Sequence, residues 1–136
     1  MNMFFNFLIA AVFAGTPLLF GTLGEIMNEK AGHLNLGVEG MMAMGACAGF
    51  MAGFFSDNFI VALLAAFAAG LIGALIYAVL TITFMADQNV TGLTLTIFGT
   101  GISNFVGEYM LVNSKTSSLK LPEQITAQIS NINIPG

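Results

Sequence analysis

The stretch Ala31-Gly-His-Leu-Asn-Leu-Gly-Val-Glu-Gly-Met-Met42 decides how this chain is read. It sets three glycines, an asparagine and a carboxylate between two long apolar runs. A segment inside lipid must satisfy its backbone hydrogen bonds without water. An ionisable side chain at mid-depth costs about 2.5–3.5 kcal/mol on insertion scales. Such a stretch is therefore either a broken helix lining a solute path or a joint between two helices.

The flanking composition makes lipid the solvent. Of 136 residues, 57% are hydrophobic and 7% charged, with a mean hydropathy of +0.88. Globular domains run near a quarter charged, so too few charges remain to clothe a surface facing water. The Ala, Leu, Gly and Ile runs do not alternate as β-barrel strands must. The fold class is all-α: a polytopic transmembrane helical bundle with about four hydrophobic segments, the second broken by glycine. The net charge of −4 comes from seven carboxylates and three lysines, with no arginine. That leaves no electrostatic footprint for nucleic acid and no polybasic patch for lipid headgroups. Cys47 is the sole cysteine and sits in an apolar run, where it reads as a small packing residue. Residues 1–24 contain no Lys or Arg, so the positive region of a signal peptide is missing and the segment reads as a retained membrane helix.

Segment one runs from about Met3 to Gly24, roughly 33 Å at helical rise, against a hydrocarbon core of about 30 Å. Pro17 lies inside it, and Glu25, Glu29 and Lys30 mark its exit to an interface. Two carboxylates at a helix C-terminus oppose the macrodipole, so Lys30 or an outside partner is expected to offset them. Segment two covers about residues 34–55. Its charge-free part, Gly40 to Phe55, reaches only about 25 Å, and short, glycine-interrupted segments point to binding regions in transporters with broken helices. Ser56, Asp57 and Asn58 form a tight turn. Segment three, Phe59 to about Ala86, spans roughly 42 Å without a charge, and Asp87, Gln88 and Asn89 close it. Segment four, Val90 to about Val112, is richer in hydroxyls. Residues 1–112 thus form the membrane region, and residues 113–136 a polar loop or surface tail outside it.

Small residues recur at every fourth position: Gly45, Gly49 and Gly53; Ala62, Ala66, Gly70, Ala74 and Ala78; Gly99, Ser103 and Gly107. Such rows let helix backbones approach closely in lipid. They argue for a compact bundle, not for a function.

No enzyme constellation is present. His33 has no second histidine at metal spacing, and no nucleophile, base and acid can be set together. No catalytic, cofactor or metal residue is therefore assigned. The solute-path candidates are Asn35, Glu39, Thr94 and Asn104. Glu39 either meets the positive end of the second helix or faces a wet cavity, and both can hold at once. Asn35 either bonds a polar solute or caps the break. The hydroxyls of segment four either line a path for an uncharged polar solute or bond between helices. Tyr77 and Tyr109 fit interface belts.

Thr16-Pro17-Leu-Leu, the exit Gly24-Glu25 to Glu29-Lys30-Ala31-Gly32, and Leu34-Asn35-Leu36-Gly37-Val38-Glu39-Gly40-Met41-Met42-Ala43-Met44-Gly45-Ala46 together resemble the start of permease subunits of bacterial ATP-binding-cassette (ABC) importers. The likeness is greatest to the branch for nucleosides and simple sugars. Gln88-Asn89-Val90-Thr91-Gly92-Leu93-Thr94-Leu95 is similar to the next recognisable stretch of that branch, and the resemblance extends to about Gly107. It implies a multi-pass protein of the bacterial plasma (inner) membrane that pairs with a second permease subunit. It further implies cytoplasmic ABC ATPase subunits and an extracytoplasmic substrate-binding lipoprotein as partners. The chain has no G-x-x-x-x-G-K-[ST] loop, so any ATP hydrolysis falls to another subunit. Family members carry further membrane helices, so the resemblance implies an N-terminal portion that does not transport alone. Two other readings stand beside it: a small membrane scaffold or assembly protein, and an oligomeric pore with segment four lining water.

Overall fold

The computed structural model describes residues 2–113 and 123–130. The elements are α1 (Asn2–Lys30), α2 (Val38–Ser56), α3 (Phe59–Ala78) continued by a π-helical turn (Val79–Thr83), α4 (Gln88–Asn113) and α5 (Glu123–Ser130). Four helices are long and apolar enough to cross a membrane. Among the described residues there is no strand, so the all-α helical bundle stands.

Helix ends follow local chemistry. α1 runs past the expected exit near Gly24 to Lys30, because Glu25 to Lys30 contains no helix breaker. α2 stops at Asp57, which takes a left-handed conformation (φ 50°) and returns its N–H to the Gly53 carbonyl. Asn58 then caps α3, its Oδ1 accepting the Ile60 N–H at 2.9 Å. Asp87, which the sequence presents as closing segment three, instead opens α4: its Oδ1 accepts the Val90 N–H at 3.0 Å. Gln88 and Asn89 form the first turn of α4.

α2 is the central helix, packed against both α3 and α4, while α1 touches it lightly. α2 and α3 are antiparallel, with Gly45 and Gly49 set against Ala66 and Ala62. α2 and α4 run in the same direction, with Gly37 beside Gly92 and Gly40 beside Leu95 and Gly99. There the backbones nearly touch: a Cβ on Gly99 would lie 2.5 Å from the Gly40 carbonyl oxygen.

The expected row on α3 is only half right. Ala62 and Ala66 face α2, but lower down the contact passes to Gly73 and Tyr77, and Ala74 is exposed. Steps of four residues overshoot a turn of 3.6, so a row drawn at i+4 drifts off the contact face. Gly107, in the third row, meets nothing within 4 Å.

Among the described residues Tyr77, Leu95 and Ile125 are the buried core hydrophobics, whereas Phe4, Phe7, Phe13, Phe20 and Phe67 all point outward. In lipid such faces need no cover. The segment read as a polar tail contains α5, whose Ile125 is 2% exposed and sits in a hollow walled by Gly45, Gly49, Phe50, Phe59, Ala62 and Ala66. Lys115, Lys120, Pro135 and Gly136 lie outside the described residues.

Candidate functional site

The break between α1 and α2 is a tied joint. Two residues past the end of α1 stands Gly32, whose φ of 86° suits a residue without Cβ. The Gly32 N–H reaches the Glu29 carbonyl at 2.9 Å, and the His33 N–H reaches that of Asn28 at 3.1 Å. These two bonds satisfy carbonyls the helix end would leave open. The next residues have no helix of their own, and side chains from three helices hold their backbone. The Leu34 N–H donates to Gln88 Oε1 at 2.7 Å, and the Tyr77 hydroxyl donates to the Leu34 carbonyl. The Asn35 N–H donates to Glu25 Oε1 at 2.7 Å, and Thr96 Oγ1 donates to the Leu36 carbonyl at 2.8 Å. The Gly37 N–H bonds Asn35 Oδ1 at 2.9 Å, an Asx-type turn leading into α2. A non-helical strand of backbone survives in apolar surroundings only when held in this way.

Gln88 has its amide orientation fixed by these contacts. Oε1 accepts from Leu34, so Nε2 is the donor toward His33 Nδ1 at 3.2 Å. His33 Nδ1 is then the acceptor, and a neutral ring carries its proton on Nε2.

Beside the joint, α1 and α2 enclose a cleft of about 280 Å³. Its polar lining is Thr22, Glu25, Asn35 and Glu39, and Leu18, Leu36 and Met42 are among its apolar walls. Asn35 is buried at 8% exposure. Glu25 is half-buried; its Oε1 serves Asn35, and its Oε2 is buried without a partner among the described residues. Glu39 is exposed in the first turn of α2, where the helix dipole favours a carboxylate. Glu39 thus stands both at the N-terminal end of α2 and on the wall of the cleft. The cleft offers carboxylate acceptors and the Asn35 amide, whose Nδ2 makes only a long contact to Met41 Sδ at 3.8 Å. Its chemistry suits a ligand rich in hydroxyl or N–H donors with an apolar face.

The structure thus brings Asn35 and Glu39 together and leaves Thr94 and Asn104 elsewhere. Thr94 is exposed, donates to the Val90 carbonyl of its own helix at 2.8 Å, and lines a separate apolar hollow with Ile76, Leu80 and Phe98. Asn104 is exposed farther along α4. Tyr77 packs inside the bundle and does not face lipid: it is 5% exposed and its hydroxyl ends on the joint. Lys30 does not offset Glu25, whose two oxygens are accounted for by Asn35 and by burial. Glu25, Tyr77, Gln88 and Thr96 hold the joint but were not among the residues that the sequence offered for the site. A signal existed only for Glu25, a carboxylate placed before the helix stop and ten residues ahead of the asparagine it meets.

Residues 7–134 match the family model described as branched-chain amino acid transport system / permease component. A putative glucose ABC transporter permease protein of Haloferax volcanii is 40% identical over 107 residues, which are 79% of this chain and 32% of that protein. A guanosine ABC transporter permease protein of Bacillus subtilis is 32% identical over 120 residues, 84% of this chain and 37% of its own length. A nucleoside ABC transporter permease protein of Lactococcus lactis subsp. cremoris is 30% identical over 133 residues, 89% of this chain and 40% of its own. The chain thus spans about a third to two-fifths of the curated relatives it matches. No solved structure matches it.

Proposed function

The chain belongs to the permease-component family of branched-chain amino acid transport systems and is a multi-pass membrane protein, and from that premise we propose that it forms part of the translocation path of an ATP-driven importer for a nucleoside or simple sugar. The family is one of permeases, not of enzymes. In this reading separate cytoplasmic ATPase subunits hydrolyse the ATP. A second permease subunit completes the path, and an extracytoplasmic binding lipoprotein delivers the solute.

The cleft beside the glycine-broken joint carries the proposal. Its acceptors, Glu25 and Glu39, and the Asn35 amide are held on a braced backbone. Sugar and ribose hydroxyls are donors that such groups bind, and the apolar walls suit a sugar or base face. Glu39 is exposed in the first turn of α2, so its removal costs the fold little beyond the helix-dipole interaction, about 0.3–1 kcal/mol.

The test is uptake of labelled guanosine and of labelled glucose by vesicles containing the assembled importer with this chain. Glu39→Ala is expected to cut uptake at least tenfold while membrane amount stays unchanged and stability falls by no more than about 1 kcal/mol. Normal uptake by that variant would remove Glu39 from the path. Purification without any ATPase or binding lipoprotein would favour a scaffold instead.

A further inference from the structure

Resting on the reading of the cleft as part of the solute path, we propose that Tyr77 and Gln88 are positioning residues that jointly hold Leu34 and so set where Asn35 and Glu39 stand. Leu34 has one backbone donor and one backbone acceptor. Gln88 of α4 takes the first at 2.7 Å, and Tyr77 of α3 takes the second. Neither residue lines the cleft. Leu34 itself is exposed at 37%, so these bonds do not serve to bury its side chain. They fix a point of backbone one residue before Asn35 and five before Glu39.

Both struts are stiff. Tyr77 is packed to 5% exposure along its ring, leaving its hydroxyl as the working end. Gln88 is held at both ends of its amide, by Leu34 and by His33. Immediately beyond Tyr77 the helix widens into the π turn Val79–Thr83, and the buried Thr81 hydroxyl bonds the Tyr77 carbonyl at 2.9 Å. π turns are rare and concentrate where helices serve a function. A shift of α3 moves the Leu34 carbonyl, and a shift of α4 moves its amide. The clamp thus transmits displacement between two helices outside the cleft to the polar groups lining it.

The experiment uses the assembled importer in membranes. With Cys47→Ser to remove the native thiol, Glu39→Cys is labelled with a charged, membrane-impermeant maleimide. Labelling rates are compared with and without Tyr77→Phe or Gln88→Leu. Each change should alter the rate at least fivefold at normal membrane amounts. Gln88→Glu keeps an acceptor for the Leu34 N–H, and the His33 ring can carry its proton on Nδ1 and donate to the carboxylate, so the rate should return to within twofold. In versions retaining Glu39, Tyr77→Phe should lower the maximal rate of guanosine or glucose uptake at least fivefold and change half-saturation less than twofold. Unchanged labelling in both Tyr77→Phe and Gln88→Leu overturns the clamp. Altered labelling with normal uptake upholds the clamp and overturns the solute-path reading, so the two ideas fail separately. Because Tyr77→Phe removes one oxygen and keeps the ring, it carries the test even where Gln88→Leu fails to insert.

Discussion

Glu25, in the penultimate turn of α1, accepts the backbone N–H of Asn35 across the helix break at 2.7 Å. The bond ties α1 to the joint at a place where α1 otherwise touches the bundle lightly. It also directs the second carboxylate oxygen into a buried position without a partner, on the wall of the cleft. One residue thus serves the fold with one oxygen, while the other stays buried and unpaired among the described residues.

Removing that acceptor strands a backbone donor on a buried residue. Glu25→Ala should cost about 2 kcal/mol of stability, within the range for bonds to charged groups. Glu25→Gln keeps an oxygen at Oε1 and should recover about half of that. Thermal unfolding of the purified protein in detergent measures both. Equal losses for the two variants would assign the effect to the charge and not to the bond with Asn35.

The α2–α4 crossing depends on two glycines facing each other. A Cβ at Gly99 would press on the Gly40 backbone, which cannot yield as a flexible side chain would. Gly99→Ala should therefore destabilise by about 1–3 kcal/mol. Gly107→Ala meets open space on the same helix and should stay within about 0.5 kcal/mol. The same detergent unfolding assay compares them. A neutral Gly99→Ala would mean that the helices cross elsewhere.

The class of fold was legible because lipid leaves a coarse signature: long apolar runs, few charges, and turns marked by Asp57-Asn58 and Asp87. The joint was legible as a break, since Gly32, Gly37, Asn35 and Glu39 have no place in a continuous apolar helix. Its bracing was not. Tyr77, Gln88 and Thr96 lie 43 to 60 residues from their partners, and no local pattern encodes which hydroxyl or amide crosses to another helix. The i+4 row on α3 misled for a geometric reason, as the contact face rotates away from it between Ala66 and Gly73. Asn35 and Glu39 line one cleft because a broken helix gathers its polar groups at the break. Thr94 and Asn104 were drawn from a helix whose hydroxyls mostly turn back on their own carbonyls.

α5 is held to the bundle through Ile125, 2% exposed in the hollow between α2 and α3. Ile125→Ala removes most of that anchor and should weaken docking by about 2 kcal/mol. Opening of the helix would then rise by a factor of about 30. Cleavage after the exposed Glu123 by a glutamate-specific protease should accelerate accordingly. An unchanged cleavage rate would show that other contacts hold α5.

Thr94 and Thr96 lie two residues apart on α4 and do different work. Thr96 reaches across to the Leu36 carbonyl of the joint, while Thr94 bonds its own helix at Val90. Thr96→Val should cost about 0.6–1.7 kcal/mol, the range for interhelical bonds in lipid. Thr94→Val should be near neutral for stability, because the Val90 carbonyl keeps its helical position whether or not the hydroxyl is there. That contrast isolates the open question about Thr94. If Thr94→Val unfolds normally yet slows solute uptake, the hydroxyl contacts the solute directly and the path extends along α4. Unaltered uptake removes the Thr94 hydroxyl from the path.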